Sequence, residues 1–83
     1  MRILRAEIKP NLTFKNFILF IGLSGKEYEE IKQHFMPMDI DYFTYFITKM
    51  KNEGYVYFNG ETANLTKKGR ELYYVYSLDE VTL

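Results

Sequence analysis

The chain has no cysteine, no tryptophan, only two prolines, one histidine and, over its 83 residues, no net charge. Without cysteine there is neither a disulfide framework nor a thiolate metal site. No glycine-rich phosphate loop and no histidine–carboxylate spacing is present. Ser24-Gly25-Lys26 reads as a helix cap, not as a phosphate loop. The lone His34 falls near the end of a predicted helix, where a cation suits the helix dipole better than it suits catalysis. These absences argue against an enzyme, and no metal or cofactor is expected. Eleven basic and eleven acidic residues cancel. That removes the simplest case for a nucleic-acid partner, a strongly basic domain, although a local stripe of charge can act where the total is zero. Long hydrophobic runs are also missing. Phe17 to Leu23 is broken by Gly22 and is far too short to span a bilayer. The first nine residues, MRILRAEIK, alternate charge and apolarity and are not a signal peptide. No membrane contact and a cytoplasmic location are therefore expected.

What is present is a small, aromatic chain. Hydrophobic residues make up 47% of it, with eight Tyr and seven Phe. That is enough for one core of a few large side chains, with aromatic surface left over for a partner. No repeat, linker or low-complexity segment divides residues 1–83, so a single domain is expected.

Residues 3 to 8 alternate with a period of two and read as a short strand, with Pro10 ending it; a helical arm is the alternative. A first helix is predicted from Thr13 to Gly22, capped by Thr13 or Asn11. Phe14, Phe17, Ile18, Phe20 and Ile21 leave it almost no polar face, which implies a central helix or a dimer contact. Ser24 and Glu27 have capping-box spacing, so the second helix is predicted from Gly25 to Phe35, with Tyr28, Ile31 and Phe35 inward. Pro37 stops it, and Asp39 caps a third helix from Ile40 to Glu53. Phe43, Phe46, Ile47 and Met50 form that helix's buried stripe. Gly54 ends it.

Tyr55 to Phe58 and Glu61 to Leu65 read as strands of a hairpin. Asn59-Gly60 would be the central pair of a type I′ turn, where both residues need positive φ. Thr66 caps a last helix reaching about Ser77, with Leu65, Gly69, Leu72, Val75 and Tyr76 inward. The tail LDEVTL could pair with the N-terminal arm.

Helix, helix, turn, helix, hairpin, helix is the order of a winged helix-turn-helix. The residues KMKNEGYV, followed by a hairpin and then LTKKGREL, also resemble the MarR and PadR groups of bacterial transcriptional regulators. In those groups a helix ending L-x-x-x-G-L-V leads into the wing, and L-T-x-x-G-R-x-L opens the next helix. The resemblance is residue-specific over 49 to 72 and extends by element order over about 12 to 76. It implies an α+β fold: a minimal winged helix with a three-helix core, a two-stranded wing, a C-terminal helix and a short N-terminal strand or arm. It also implies a homodimeric regulator that binds double-stranded DNA. On this reading the third helix would enter the major groove with Tyr42, Tyr45, Thr48, Lys49 and Asn52. Asn59 and Gly60 would sit at the backbone or minor groove, and Lys67, Lys68 and Arg70 would take phosphates.

The chain departs from the family pattern where specificity should lie. The start of the third helix carries Asp39, Asp41, Tyr42 and Tyr45, and the wing tip is Asn59-Gly60-Glu61. The aspartates suit the helix dipole but repel phosphates. The alternative is accordingly a winged helix that serves as a protein-interaction module, for example a phage or mobile-element accessory protein, with its tyrosines as contact area.

Overall fold

The computed structural model describes residues 11–81, so the expected N-terminal strand or arm lies outside the described residues. The described part is a small α+β arrangement of four helices and a three-stranded antiparallel sheet, compatible with a winged-helix-like layout. In chain order the elements are α1 (Phe14–Ile21), β1 (Lys26–Glu27), α2 (Tyr28–Phe35), α3 (Ile40–Asn52), β2 (Val56–Asn59), β3 (Thr62–Leu65) and α4 (Lys67–Val81).

Thr13 caps α1: its extended backbone turns the side chain so that Oγ1 accepts from the Asn16 amide at 3.2 Å. Gly22, at φ 63°, ends the helix. Phe17, Ile18 and Ile21 are buried, and no residue of α1 is fully exposed. The apolar helix is therefore central: α4, the sheet and the other helices cover it within one chain, as far as a single copy can.

The second helix begins later than its capping signal suggests. Ser24 does not cap it. Gly25 sits at φ 81°, outside helical space, and a Cβ there would lie 2.9 Å from the Ala63 carbonyl oxygen. Lys26 and Glu27 then pair with Ala63 and Thr62 as a third strand. Helix α2 starts only at Tyr28, where Glu30 Oε1 accepts from the Glu27 amide at 3.0 Å. A distant strand thus claims two residues whose local pattern was helical. The sheet order is β1-β3-β2, so the hairpin is the two-stranded part of a three-stranded sheet.

The hairpin register also differs from expectation. Val56 pairs with Leu65 and Asn59 with Thr62, so the two connecting residues are Gly60 and Glu61, not Asn59 and Gly60. Gly60, at φ 64°, takes the left-handed conformation, and Asn59 stays in its strand. The expected type I′ turn centred on Asn59-Gly60 is thereby replaced.

Helix α4 is longer than predicted and carries the chain to Val81. Of its expected inward residues, Gly69 is buried and Leu72 and Tyr76 are partly buried, but Val75 is 53% exposed. Tyr73 packs against the core in its place. At about 100° per residue, Val75 lies roughly 120° around the helix from Gly69, whereas Tyr73 lies only about 40° away.

One cluster of buried side chains joins these elements: Leu12 and the inner faces of α1, α2 and α3 meet Val56, Ala63 and Leu65 of the sheet. Phe17, Phe35 and Phe43 are its largest fully buried members. Phe17 meets Phe46 edge to face at 5.3 Å between ring centroids.

Candidate functional site

Helix α3 presents its outer surface because its inner stripe is fully used. Phe43, Phe46, Ile47 and Met50 are buried, and every other residue from Ile40 to Asn52 is exposed. Asp39 caps the helix, its Oδ1 accepting from the Asp41 amide at 3.4 Å. This confirms the origin of the acidic start: a capping carboxylate followed by a first-turn carboxylate, both placed at the positive end of the helix dipole.

The five residues singled out on this helix all reach solvent. Tyr42 is 46% exposed and Tyr45 60%. Their rings lie 6.4 Å apart, and Tyr42 also leans on Phe46 at 6.2 Å. Tyr45, Thr48, Lys49, Asn52 and Glu53 line one shallow depression of about 230 Å³. Lys49 Nζ is 2.9 Å from Glu53 Oε2, an exposed i, i+4 ion pair. The hydrogen bond from the ammonium to Glu53, reinforced by that residue's charge, holds the Lys49 pKa above its ordinary value.

The three basic residues at the start of α4 do not form one free patch. Lys68 Nζ donates to the Glu53 carbonyl oxygen at 2.9 Å and sits 4.3 Å from the Tyr55 ring centroid. Arg70 Nη1 donates to the Leu65 carbonyl at 3.2 Å. Lys67 is exposed. Two of the three cations therefore close the junctions around their own helix, which accounts for basic residues sitting at a helix start against the dipole.

The other flank of α3 faces the hairpin. Thr44, Ile47, Thr48 and Lys51 of α3, together with Tyr28, Phe58 and Gly60, line a cleft of about 260 Å³. Lys51 Nζ lies 5.5 Å from the Phe58 ring centroid. Of the two expected tip residues, Gly60 reaches this cleft; Asn59 is exposed at the end of β2. Thr44 was not singled out from the sequence, and Lys51 was weighed there only as one of the chain's basic residues. Their signal was available: 44, 48 and 51 share one helical face. What the sequence could not show was that the hairpin lies beside that face and not beside Lys49.

Away from α3, an open depression of about 450 Å³ is lined by Phe20, Glu29, Glu30, Gln33 and His34. His34 stacks on Phe20 with centroids 3.8 Å apart and rings 8° from parallel. Among the described residues, no helix is long and apolar enough to cross a membrane, and no group of three or more His, Cys, Asp or Glu is placed to hold a metal ion.

Compared with protein-family models, curated proteins and solved structures, the chain matches none.

Proposed function

We propose that this chain is a small winged-helix transcriptional regulator that binds double-stranded DNA through α3 and the β2–β3 hairpin, acting as a homodimer. The observation that carries this reading is the disposition of α3. One side of the helix is sealed into the core, while the other offers Tyr45, Thr48, Lys49 and Asn52 along a continuous outer face flanked by a hairpin. Hydroxyl and amide groups at this spacing hydrogen-bond base edges or phosphates, and an exposed helix of 13 residues suits a major groove. The Lys49–Glu53 pair is half-exposed, so Lys49 can exchange its carboxylate for a phosphate. The homodimer part of the proposal draws on α4. Tyr74, Val75 and Leu78 are each more than half exposed on its outer side, a surface that a second copy would cover.

A second reading, a protein-interaction module without DNA binding, is favoured by specific observations. Asp39 and Asp41 stand at the leading end of α3, and Lys68 and Arg70 are engaged by backbone carbonyls. On this reading Tyr42 and Tyr45 supply contact area at small entropic cost.

A salt titration separates the two. Labelled duplex DNA of mixed sequence should bind at low ionic strength and dissociate steeply as salt rises. Absence of binding at micromolar protein and low ionic strength would exclude the DNA reading and leave the protein module.

A further inference from the structure

We propose that the cleft between α3 and the hairpin is a phosphodiester site, with Lys51 as its cation and the Thr44 and Thr48 hydroxyls as its hydrogen-bond donors. The inference rests on the DNA-binding reading in one respect: it takes the phosphodiester to belong to a DNA strand.

The cations around α3 differ in what holds them. Lys49 is paired with Glu53, Lys68 with the Glu53 carbonyl, and Arg70 with the Leu65 carbonyl. Lys51 has no carboxylate or carbonyl partner among the described residues, and its ammonium lies over the face of Phe58. An aromatic face holds a solvated ammonium weakly, whereas a phosphate oxygen offers a charge-assisted hydrogen bond. Thr44, Thr48 and Lys51 lie at i, i+4 and i+7 and line the same cleft, so two hydroxyls and one ammonium converge on it. No hydrogen bond occupies either hydroxyl among the described residues. Tyr28 and Phe58, both half-buried, supply the aromatic walls of the cleft. The depression on α2 makes the opposite case, because Glu29 and Glu30 would repel an anion there.

The position of the cleft gives it a use. Thr48 borders both this cleft and the outer depression of Tyr45, Lys49 and Asn52. A strand anchored by one phosphate beside Lys51 would place its neighbouring bases along the outer face of α3. The contact fixes register and orientation; it does not read sequence. Glu61 follows Gly60 at the hairpin tip and is exposed.

The test compares salt dependences. Duplex binding is measured across a salt series for the wild type and for Lys51→Met, Lys32→Met, Thr44→Val and Thr48→Val, with thermal melts to confirm folding. Lys32 lies on α2, is not among the residues that line the cleft, and controls for the loss of one positive charge. Lys51→Met should make the slope of log K against log salt shallower by about 0.9, the share of one phosphate contact. Lys32→Met should leave the slope unchanged. The threonine variants should weaken binding at every salt concentration without changing the slope. Equal slopes for Lys51→Met and Lys32→Met would overturn the phosphodiester site while leaving DNA binding intact.

If the wild type binds no DNA, amide chemical shifts decide the cleft separately. A thymidine dinucleotide carries one phosphodiester and should shift the amides of residues 44, 48, 51 and 60, with the effect lost in Lys51→Met. No shift would overturn the site. Equal shifts with inorganic phosphate would also overturn it, since the cleft would then hold any small anion.

Discussion

The Lys68 ammonium donates to the backbone carbonyl of Glu53 at 2.9 Å, across fifteen residues of sequence. Glu53 is the C-cap of α3, so Lys68 satisfies one of the carbonyls that a helix end leaves without a partner. The same ammonium lies over the Tyr55 ring. Lys68 thus ties the first turn of α4 to the last turn of α3 and sets their relative position. Lys68→Ala should lower the unfolding free energy by about 1 kcal/mol, the combined size of an exposed helix-end contact and an exposed cation–π contact. Urea denaturation measures it. A change within error would show that the contact contributes nothing in solution.

Thr66 works at the same junction. Its Oγ1 accepts from the Gly69 amide at 3.2 Å and donates to the Gly54 carbonyl at 2.6 Å. Thr66→Ala removes both bonds and should cost about 1–2 kcal/mol, near the upper range for a lost N-cap. Thr66→Ser keeps the hydroxyl and should recover most of that loss. If the serine variant is as unstable as alanine, the methyl group and not the hydroxyl is what matters.

Gly69 allows α4 to approach the hairpin closely. A Cβ on this residue would collide with the Tyr55 carbonyl oxygen, a backbone atom that already accepts the Thr66 amide at 3.0 Å. Alanine is the better helix former by about 1 kcal/mol, so propensity alone predicts a stabilised Gly69→Ala variant. The close approach predicts the reverse: a net loss of about 1–3 kcal/mol, as for other overpacked sites. A raised melting temperature would contradict the packing.

Asp41 separates the electrostatics of folding from those of binding. Its carboxylate lies in the first turn of α3, where it favours the helix and opposes phosphate. Asp41→Asn should reduce stability by about 0.3–1 kcal/mol while raising DNA affinity at low salt. Fluorescence anisotropy and a thermal melt on the same preparation give both quantities. Unchanged DNA affinity would mean that the start of α3 does not approach the duplex.

The outer side of α4 predicts association. Leu78 is 64% exposed, beside exposed Tyr74 and Val75. Sedimentation equilibrium should find a dimer, and Leu78→Glu should shift it to monomer with the fold retained. A wild-type monomer at the concentrations that bind DNA would remove the homodimer from the proposed function.

The sequence by itself determined the local elements whose signals are chemical and short-range. Thr13, Asp39 and Thr66 were legible as caps because a side-chain oxygen must meet the free amides of a first turn. Phe43, Phe46, Ile47 and Met50 were legible as a buried stripe because helical spacing puts them on one side. From this came four helices, a hairpin and the exposed face of α3. Tertiary structure decided what depends on partners far along the chain. Lys26 and Glu27 left the predicted helix because β3 pairs with them. The turn moved to Gly60-Glu61 because the pairing of Val56 with Leu65 sets the register. The candidate site divides in the same way. The tyrosines, Thr48, Lys49 and Asn52 could be read from helical period alone. The engagement of Lys68 and Arg70 by carbonyls, and the placing of Thr44 and Lys51 beside the hairpin, required the packed chain. Periodicity fixes which way a side chain points; only packing fixes what it meets there.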